Sequence, residues 1–169
     1  MNRTRAPLVL AIALAVTAAS LWAYWQADRP DKLLSGAAQV LDGDSLVLVN
    51  RRVRLAFIDA PELSQTCTRN GVAWQCGHAA RMKLIELIAG RPVECRKIET
   101  DKYWRTIANC FAGSTNLNKE MVRSGFAIAY RRYSVKYATE ELEAINAKHG
   151  IWSGRFENPE AWRIKNTQR

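Results

Sequence analysis

The sequence predicts an α+β domain that is mainly β, and the order of its secondary-structure signals supports that prediction. Three short runs of strand-forming residues, 37–41, 45–49 and 53–58, are separated by tight turns and indicate a meander. A helix, a strand hairpin and further helices follow. This order is typical of a five-stranded barrel of the OB type with about three helices. Another small α+β domain with an antiparallel sheet is the alternative, because periodicity does not separate the two.

The elements after the meander follow from helical periodicity and from turn residues. Four apolar side chains share one helical face, so a helix is predicted over residues 77–89. Residues 93–111 indicate a hairpin around a polar turn, which supplies the fourth and fifth strands. Two further helices are predicted over residues 117–124 and 139–148, each with a glycine just beyond it. Asn158 and Pro159 then provide a cap and a first helical position.

Residues 1–26 are predicted as an N-terminal hydrophobic helix that acts as a signal-anchor, with a cleaved signal peptide as the alternative. Arg3 and Arg5 precede an apolar run over residues 8–25. As a helix this run spans about 27 Å, close to the ~30 Å hydrocarbon core of a bilayer. The arginines stay inside, so we expect an inner-membrane, single-pass protein with a periplasmic domain, or a secreted one. The predicted parts are then a linker (27–36), the domain (37–153) and a C-terminal extension (154–169).

The four cysteines are predicted to form two disulfides, which agrees with export. None of them forms a C-x-x-C pair, so zinc is a poor interpretation even with His78 close to Cys76. Cys95 and Cys110 lie equally far from the centre of the predicted hairpin and should face each other across its strands. That pairing leaves Cys67 with Cys76. The alternative is four buried free thiols.

Composition sets only broad limits on function. The hydrophobic content of 48% and six tryptophans are enough for a genuine core. The formal net charge of +9 favours an anionic partner, such as nucleic acid, an acidic polymer or a lipid surface. The charge does not indicate any particular chemistry.

Three charged motifs stand at turns or strand ends, and each alone is typical of a solvated turn. Asp42-Gly43-Asp44 separates the first two strands, and residues 101–105 form the tip of the hairpin. Between them, the segment from Arg54 to Glu62 carries two acids on either side of Pro61. Together, in this order and spacing, V-L-D-G-D-S, R-L-A-F-I-D-A-P-E and D-K-Y-W-R resemble the motifs of the thermonuclease (staphylococcal nuclease-like) family.

The resemblance runs over about residues 37–152 and includes later segments at residues 121–130 and 150–152. It implies an OB barrel and a membrane-anchored or exported bacterial nuclease. The residues that match the family's calcium ligands are Asp44, Asp59 and the backbone carbonyl of Ala60. Those that match its catalytic residues are Glu62, as general base or water orienter, and Arg54 and Arg105, which bind phosphate and stabilise the transition state. Those that match other site positions are Asp42, just behind the metal, and Lys102, Tyr103 and Tyr130, which line the nucleotide pocket.

Phosphodiester hydrolysis explains why such groups would meet. A hard cation with oxygen ligands offsets phosphate charge, a carboxylate activates or positions water, and planar guanidinium groups match two phosphate oxygens. The sequence therefore predicts a hydrolase: a calcium-dependent nuclease acting on DNA or RNA outside the cytoplasm, with single strands favoured. No protein partner is inferred, and a monomer is expected.

The alternative is a non-catalytic OB module that binds single-stranded nucleic acid or an acidic envelope polysaccharide. The acids and arginines of the family are all present, which favours the enzyme. Some positions depart from the family pattern, however. Ala60 and Ser45 stand where threonine is frequent, and Trp104 stands where a glycine is usual beside Arg105. A ring at Trp104 would either crowd the pocket or offer a stacking surface for a base. The loop over residues 63–77 has no counterpart in the best-known members.

Overall fold

Strand pairing organises the part of the chain that the computed structural model describes, residues 33–167. The strands are β1 (Leu33–Gly36), β2 (Ala38–Val40), β3 (Ser45–Leu48), β4 (Arg51–Leu55), β5 (Ile58–Asp59), β6 (Cys67–Arg69), β7 (Val72–Trp74), β8 (Val93–Thr100), β9 (Thr106–Ala112), β10 (Thr115–Asn116) and β11 (Ile128–Ala129). The helices are α1 (Cys76–Ile88), α2 (Leu117–Arg123), α3 (Ala138–Asn146) and α4 (Pro159–Thr167), with a 3-10 turn at Gly150–Ser153. The described residues are therefore mainly β with four helices, which is consistent with an OB-type fold.

The main sheet has the strand order β1-β8-β9-β4-β3-β2, and β10 pairs with β9. The predicted meander is present: β2 pairs with β3 and β3 pairs with β4, both antiparallel. The predicted hairpin is present as β8 and β9. The meander joins the hairpin through parallel pairing of β4 with β9, in which Val53 lies opposite Thr106. This sheet is larger than the five strands predicted.

The third predicted strand, residues 53–58, is broken, and the break has a physical cause. Strand β4 ends at Leu55, and Phe57 adopts a positive φ of 64°. Beyond it, β5 turns away from the main sheet and pairs with β11. The buried side chain of Asn118 donates to the carbonyl oxygens of Ala56 and Ala108, both at 3.0 Å. The bond to Ala56 satisfies a carbonyl at the break that a continuous ladder would otherwise pair, while Ala108 also accepts the N–H of Ala56 at 2.8 Å.

Two further strand segments lie where loops or linkers were predicted. Strands β6 and β7 form a small antiparallel hairpin inside the predicted loop. Its turn, Asn70-Gly71, has two positive φ angles, 51° and 79°. Asn-Gly is a strong signal for such a turn, and the sequence interpretation missed it. Strand β1 lies within residues 27–36, predicted as a linker.

The helices correspond closely to the predicted ones, and α4 is an additional helix that begins at Pro159 as its capping residues suggest. The core forms between the sheet and the buried faces of α1 and α2, where Leu46, Leu55, Leu84 and Met121 are among the buried side chains. Both predicted disulfides are present, Cys95–Cys110 within the β8–β9 ladder and Cys67–Cys76 between β6 and α1.

None of the helices within residues 33–167 is both long enough and apolar enough to cross a membrane. The hydrophobic helix predicted over residues 1–26 lies outside the described residues.

Candidate active site

A cleft of about 1030 Å³ collects most of the candidate site residues. Its lining includes Asp42, Asp44, Arg54, Ala60, Glu62, Lys102, Tyr103, Arg105 and Tyr130. The three charged motifs, which are far apart in the sequence, therefore meet in one place. Two residues of α4, Glu160 and Arg163, also line this cleft.

The Asp42-Gly43-Asp44 turn places the carboxylate of Asp44 at the wall of the cleft. Asp44 donates its backbone N–H to Asp42 Oδ1 at 2.9 Å, which closes the turn locally. A Cβ on Gly43 would lie 2.7 Å from the Cβ of Ala60, closer than real Cβ atoms approach. The side chain of Asp44 reaches the same segment, where its Oδ2 accepts the N–H of Ala60 at 3.0 Å. Only glycine lets the turn pack this closely against Ala60.

Arg54 bridges the two predicted calcium carboxylates. Its Nη1 lies 2.7 Å from Asp44 Oδ1 and its Nη2 lies 2.6 Å from Asp59 Oδ1. Arg54 stands on β4 opposite Ser45, so the pairing of β3 with β4 brings the Asp44 segment to it. Two carboxylates that lie close together repel each other unless positive charge stands between them. In the structure, a guanidinium group already supplies positive charge there.

Burial and neighbouring charges shift the pKa values of Asp42, Arg54 and Asp59. Burial, reinforced by the charge of Asp44, raises the pKa of Asp42 to about 6. Burial also raises the pKa of Asp59, although hydrogen bonds from Arg163 oppose that shift. For Arg54 burial disfavours the charged form, but the charges of Asp44 and Asp59 outweigh it and raise the pKa. The cluster is therefore a largely buried, ion-paired set of charges rather than a solvated turn.

The loop that carries Glu62 is fixed from two sides. The buried amide of Gln65 accepts the backbone N–H of Glu62 at 3.1 Å and donates to the carbonyl of Glu157 at 2.7 Å. A Cβ on Gly77, at the start of α1, would overlap the carbonyl of Glu62. The Glu62 side chain remains 30% exposed. The backbone is thus held while the carboxylate stays accessible to solvent.

The hairpin tip orders the second arginine through Asp101. Both Tyr103 and Arg105 donate their backbone N–H groups to Asp101 Oδ1, each at 2.9 Å. The Arg105 side chain pairs with Asp101 Oδ2 at 2.7 Å. Hydrogen bonds from Arg105 and Tyr103 lower the pKa of Asp101, and they outweigh the opposing effect of burial. Arg105 therefore faces the cleft while paired with an acid of its own hairpin.

Trp104 does not crowd the pocket. Its φ of 62° lies in the region that favours glycine, which gives a physical reason for the glycine usual at this position. The side chain is 88% exposed and lies outside the residues that line the cleft. The ring therefore leaves the cleft open, and base stacking on it stays a prediction.

Arg163 was missed by the sequence interpretation. Its guanidinium group lies on Asp59, with Nη1 2.9 Å from Oδ1 and Nη2 3.0 Å from Oδ2, and Nη1 is also 2.7 Å from Glu62 Oε1. The neighbouring Glu160 accepts the hydroxyl of Tyr130 at 2.9 Å. Burial and this bond raise the pKa of Tyr130 to about 12. The i, i+3 spacing of Glu160 and Arg163 on a capped helix was the available signal.

The candidate metal ligands have hard oxygen donors of the kind that calcium takes. Across residues 33–167, however, no three His, Cys, Asp or Glu side chains group in a way that could hold a metal ion. Asp44 and Asp59 do approach a common partner, Arg54. The donor chemistry therefore fits calcium, with only two carboxylates contributed by side chains.

Comparisons with known proteins identify the family of this chain. The family model described as staphylococcal nuclease homologue matches residues 52–154. The chain is 36% identical to a micrococcal nuclease of Shigella flexneri, over 74% of this chain and 77% of that protein. It is 32% identical to an uncharacterized endonuclease of Haemophilus influenzae, over 74% of this chain and 70% of that protein. It is also 32% identical to the succinoglycan biosynthesis protein ExoI of Rhizobium meliloti, over 79% and 72%. The chain therefore belongs to the staphylococcal nuclease family, whose site chemistry is hydrolysis of phosphodiester bonds.

Proposed function

We propose that this protein is a calcium-dependent nuclease that cleaves DNA or RNA outside the cytoplasm. The observation that carries the proposal is that Arg54 bridges Asp44 and the fully buried Asp59, and that Asp44 and Arg54 line the same cleft as Glu62 and Arg105. A binding module would have no need for buried carboxylates, because they repel phosphate. A hydrolase needs them to hold a cation and to handle a proton.

Each residue of the cluster has a distinct role in this proposal. Glu62, part-exposed at the cleft, positions or deprotonates the water that attacks phosphorus. Arg54 and Arg105 bind the phosphate oxygens through planar forks and stabilise the charge that builds on them in the transition state. Lys102 and Tyr103 on the hairpin, with Tyr130 across the cleft, contact the nucleotide.

Asp44, Asp59 and the backbone carbonyl of Ala60 would hold calcium, with Asp42 behind them. When bound, calcium would supply positive charge that offsets the charge of the phosphate. The fold buries Asp44 and Asp59, which are only 3% and 0% exposed. Because water is excluded from these carboxylates, their attraction for a cation is stronger than it would be at the surface.

Two features support a location outside the cytoplasm. Both disulfides join buried cysteines, and such bonds persist in oxidising compartments. The apolar run over residues 8–25 follows two arginines, as expected for a signal-anchor or signal peptide. If the domain is anchored, protease added to spheroplasts should digest it. If the signal is cleaved, the domain should appear in the medium. Protection until the inner membrane is lysed would contradict this location.

Single strands are the proposed substrate form. The exposed rings of Tyr103 and Trp104 stand beside the cleft, and bases that are not paired can stack on such rings. Lys102 and Arg105 lie close to the Tyr103 ring, within 5.0 Å and 5.5 Å of its centroid. The tip thus combines positive charge with aromatic faces, which suits a single-stranded polyanion.

The second candidate is a non-catalytic module that binds single-stranded nucleic acid or an acidic envelope polysaccharide. The relative named as a succinoglycan biosynthesis protein is the observation that favours a glycan. This candidate leaves the ion-pair cluster of Arg54 without a purpose. It predicts binding without cleavage.

The experiment that separates the candidates uses the full-length protein with labelled single strands of DNA and of RNA. In calcium we expect cleavage, and in EGTA we expect none. Calcium should also raise the melting temperature, because it binds the folded state. Asp44→Asn should abolish both effects, whereas Glu94→Gln, at an exposed ion pair, should change neither. Strands that stay intact over hours in calcium would refute the nuclease.

A further inference from the structure

The guanidinium group of Arg163 lies on two of the side chains that the proposed reaction requires. It forms a two-pronged contact with Asp59, the proposed calcium ligand, and a third bond with Glu62, the proposed base. We propose that Arg163 is a further determinant of this site: it competes with the divalent cation for Asp59, and so α4 sets the affinity of the cleft for metal. This inference rests on the proposed function.

Competition follows from which atoms are occupied. Asp59 is fully buried, and both of its carboxylate oxygens accept bonds from guanidinium groups, Oδ1 from Arg54 and Arg163 and Oδ2 from Arg163. A calcium ligand must direct an oxygen lone pair at the ion. Asp59 Oδ1 already accepts two such bonds, so a cation that takes this oxygen displaces one of them. A cation that approaches Oδ2 instead comes close to Nη2 of Arg163 and is repelled by its positive charge. In either case the guanidinium group of Arg163 opposes metal binding.

The contact with Glu62 adds a second consequence. A general base must present a free carboxylate oxygen to water. The guanidinium group of Arg163 occupies Oε1 of the Glu62 carboxylate. Movement of Arg163 away from Asp59 would free this oxygen as well. Metal binding and release of the base would then be coupled through one side chain.

Helix α4 buries fewer residues than the core helices do. On α4, Pro159 is buried, but Ala161, Ile164, Lys165 and Asn166 are exposed. Its polar contacts join Glu160 to Tyr130 and Arg132, and Arg163 to Asp59 and Glu62. In contrast, α1 buries five residues and α2 buries four. A helix with little buried apolar surface opens locally more easily than a core helix, and the long Arg163 side chain can also swing without it.

A purely structural role is the competing explanation, in which Arg163 only fastens α4 to the domain. The two explanations predict different changes in calcium affinity when Arg163 is removed. If Arg163 is only a fastener, its removal lowers the melting temperature and leaves calcium affinity unchanged or weaker. If Arg163 competes with the cation, its removal lowers the melting temperature in EGTA but tightens calcium binding.

The test is calorimetric titration of calcium into the full-length protein, without substrate, for the wild type and three variants. Arg163→Gln removes the charge, and we expect it to bind calcium at least about fivefold tighter, the lower range of typical coupling between sites. Arg163→Lys keeps the positive charge but cannot form the two-pronged contact. Its calcium affinity should therefore lie between those of the wild type and Arg163→Gln. Lys165→Ala, on the exposed side of the same helix, should match the wild type. If Arg163→Gln fails to fold, Arg163→Lys still shows whether calcium affinity rises or falls when the two-pronged contact is lost.

The outcomes separate this inference from the proposed function. Unchanged or weaker calcium affinity in Arg163→Gln, with a wild type that binds calcium and cleaves, overturns the inference alone. Absence of calcium binding in both the wild type and Arg163→Gln overturns the calcium-dependent function and the inference with it. Tighter binding in Arg163→Gln, or binding that appears only in that variant, supports the inference.

Discussion

On the sheet side of the cleft the charged residues are largely buried and share partners, whereas on the hairpin side they are more accessible to solvent and pair locally. Arg54 on β4 bonds to Asp44, which precedes β3, and to Asp59 on β5, and the three side chains are at most 15% exposed. Arg105 instead pairs with Asp101, four residues earlier in the chain. Beside it, the rings of Tyr103 and Trp104 are 65% and 88% exposed.

This difference indicates a division of labour within one cleft. Groups on the sheet side are held in place by packing, which suits a reaction that tolerates little displacement of its catalytic groups. The exposed rings at the hairpin tip are free to adapt to a nucleotide chain, while Asp101 holds Arg105 in the cleft. Changes on the sheet side should therefore cost stability as well as turnover, while changes at the hairpin tip should cost little stability.

The largest effect should come from Glu62, whose carboxylate stands at the border of the two sides. Glu62→Gln should lower turnover by about 10²–10⁴-fold, because general base catalysis typically contributes that much. Affinity for a short single strand should be kept or improved, since an anion that repels phosphate has been removed. Single-turnover cleavage and fluorescence anisotropy measure the two quantities, and Glu86→Gln at an exposed ion pair is the matched control. Loss of affinity in step with turnover would argue against a base.

The two arginines test the comparison directly. Arg54→Ala should lose about 3–5 kcal/mol of stability, because removal of one partner of a buried pair leaves uncompensated charge. Arg105→Ala should lose no more than about 1 kcal/mol, as is usual for a pair that solvent reaches. Both variants should lose more turnover than affinity. Urea unfolding measures the stabilities, and equal losses for the two variants would remove the distinction between the sides.

The hairpin disulfide tests whether the exposed tip depends on the sheet beneath it. Replacing both Cys95 and Cys110 by alanine should cost about 3 kcal/mol, the chain-entropy value for a loop of this length. Turnover measured well below the new melting temperature should stay near that of the wild type, because Asp101 still orders the tip. A large loss of turnover without loss of stability would show that the disulfide positions Arg105.

Trp104 should give the smallest effect. Stacking of a base on an aromatic side chain contributes about 1–3 kcal/mol, and the exposure of this ring places it at the low end. Trp104→Gly should therefore weaken single-strand binding several-fold with duplex binding unchanged, while Trp104→Phe keeps most of the affinity. Tryptophan fluorescence quenching on titration with oligonucleotides reports the contact. Equal weakening for single strands and duplexes would exclude base stacking.

Local patterns in the sequence determined much of the secondary structure and the charged motifs of this protein. The strand meander, the hairpin with its facing cysteines and the three charged motifs all depend on residues near one another in the chain, where periodicity and turn chemistry act. The resemblance of those motifs to a nuclease family gave the candidate site residues, most of which line one cleft. Their individual roles in catalysis remain predictions.

Only the tertiary structure showed which groups those acids contact. Arg163 is more than a hundred residues from Asp59 in the sequence, and it reaches the acid only because α4 packs at the edge of the cleft. Gln65 likewise joins Glu62 to the segment before α4 through a buried amide. The break after Leu55 depends on Asn118 from a distant helix. Such contacts depend on the angle and position at which whole elements pack, and no local sequence pattern encodes that geometry.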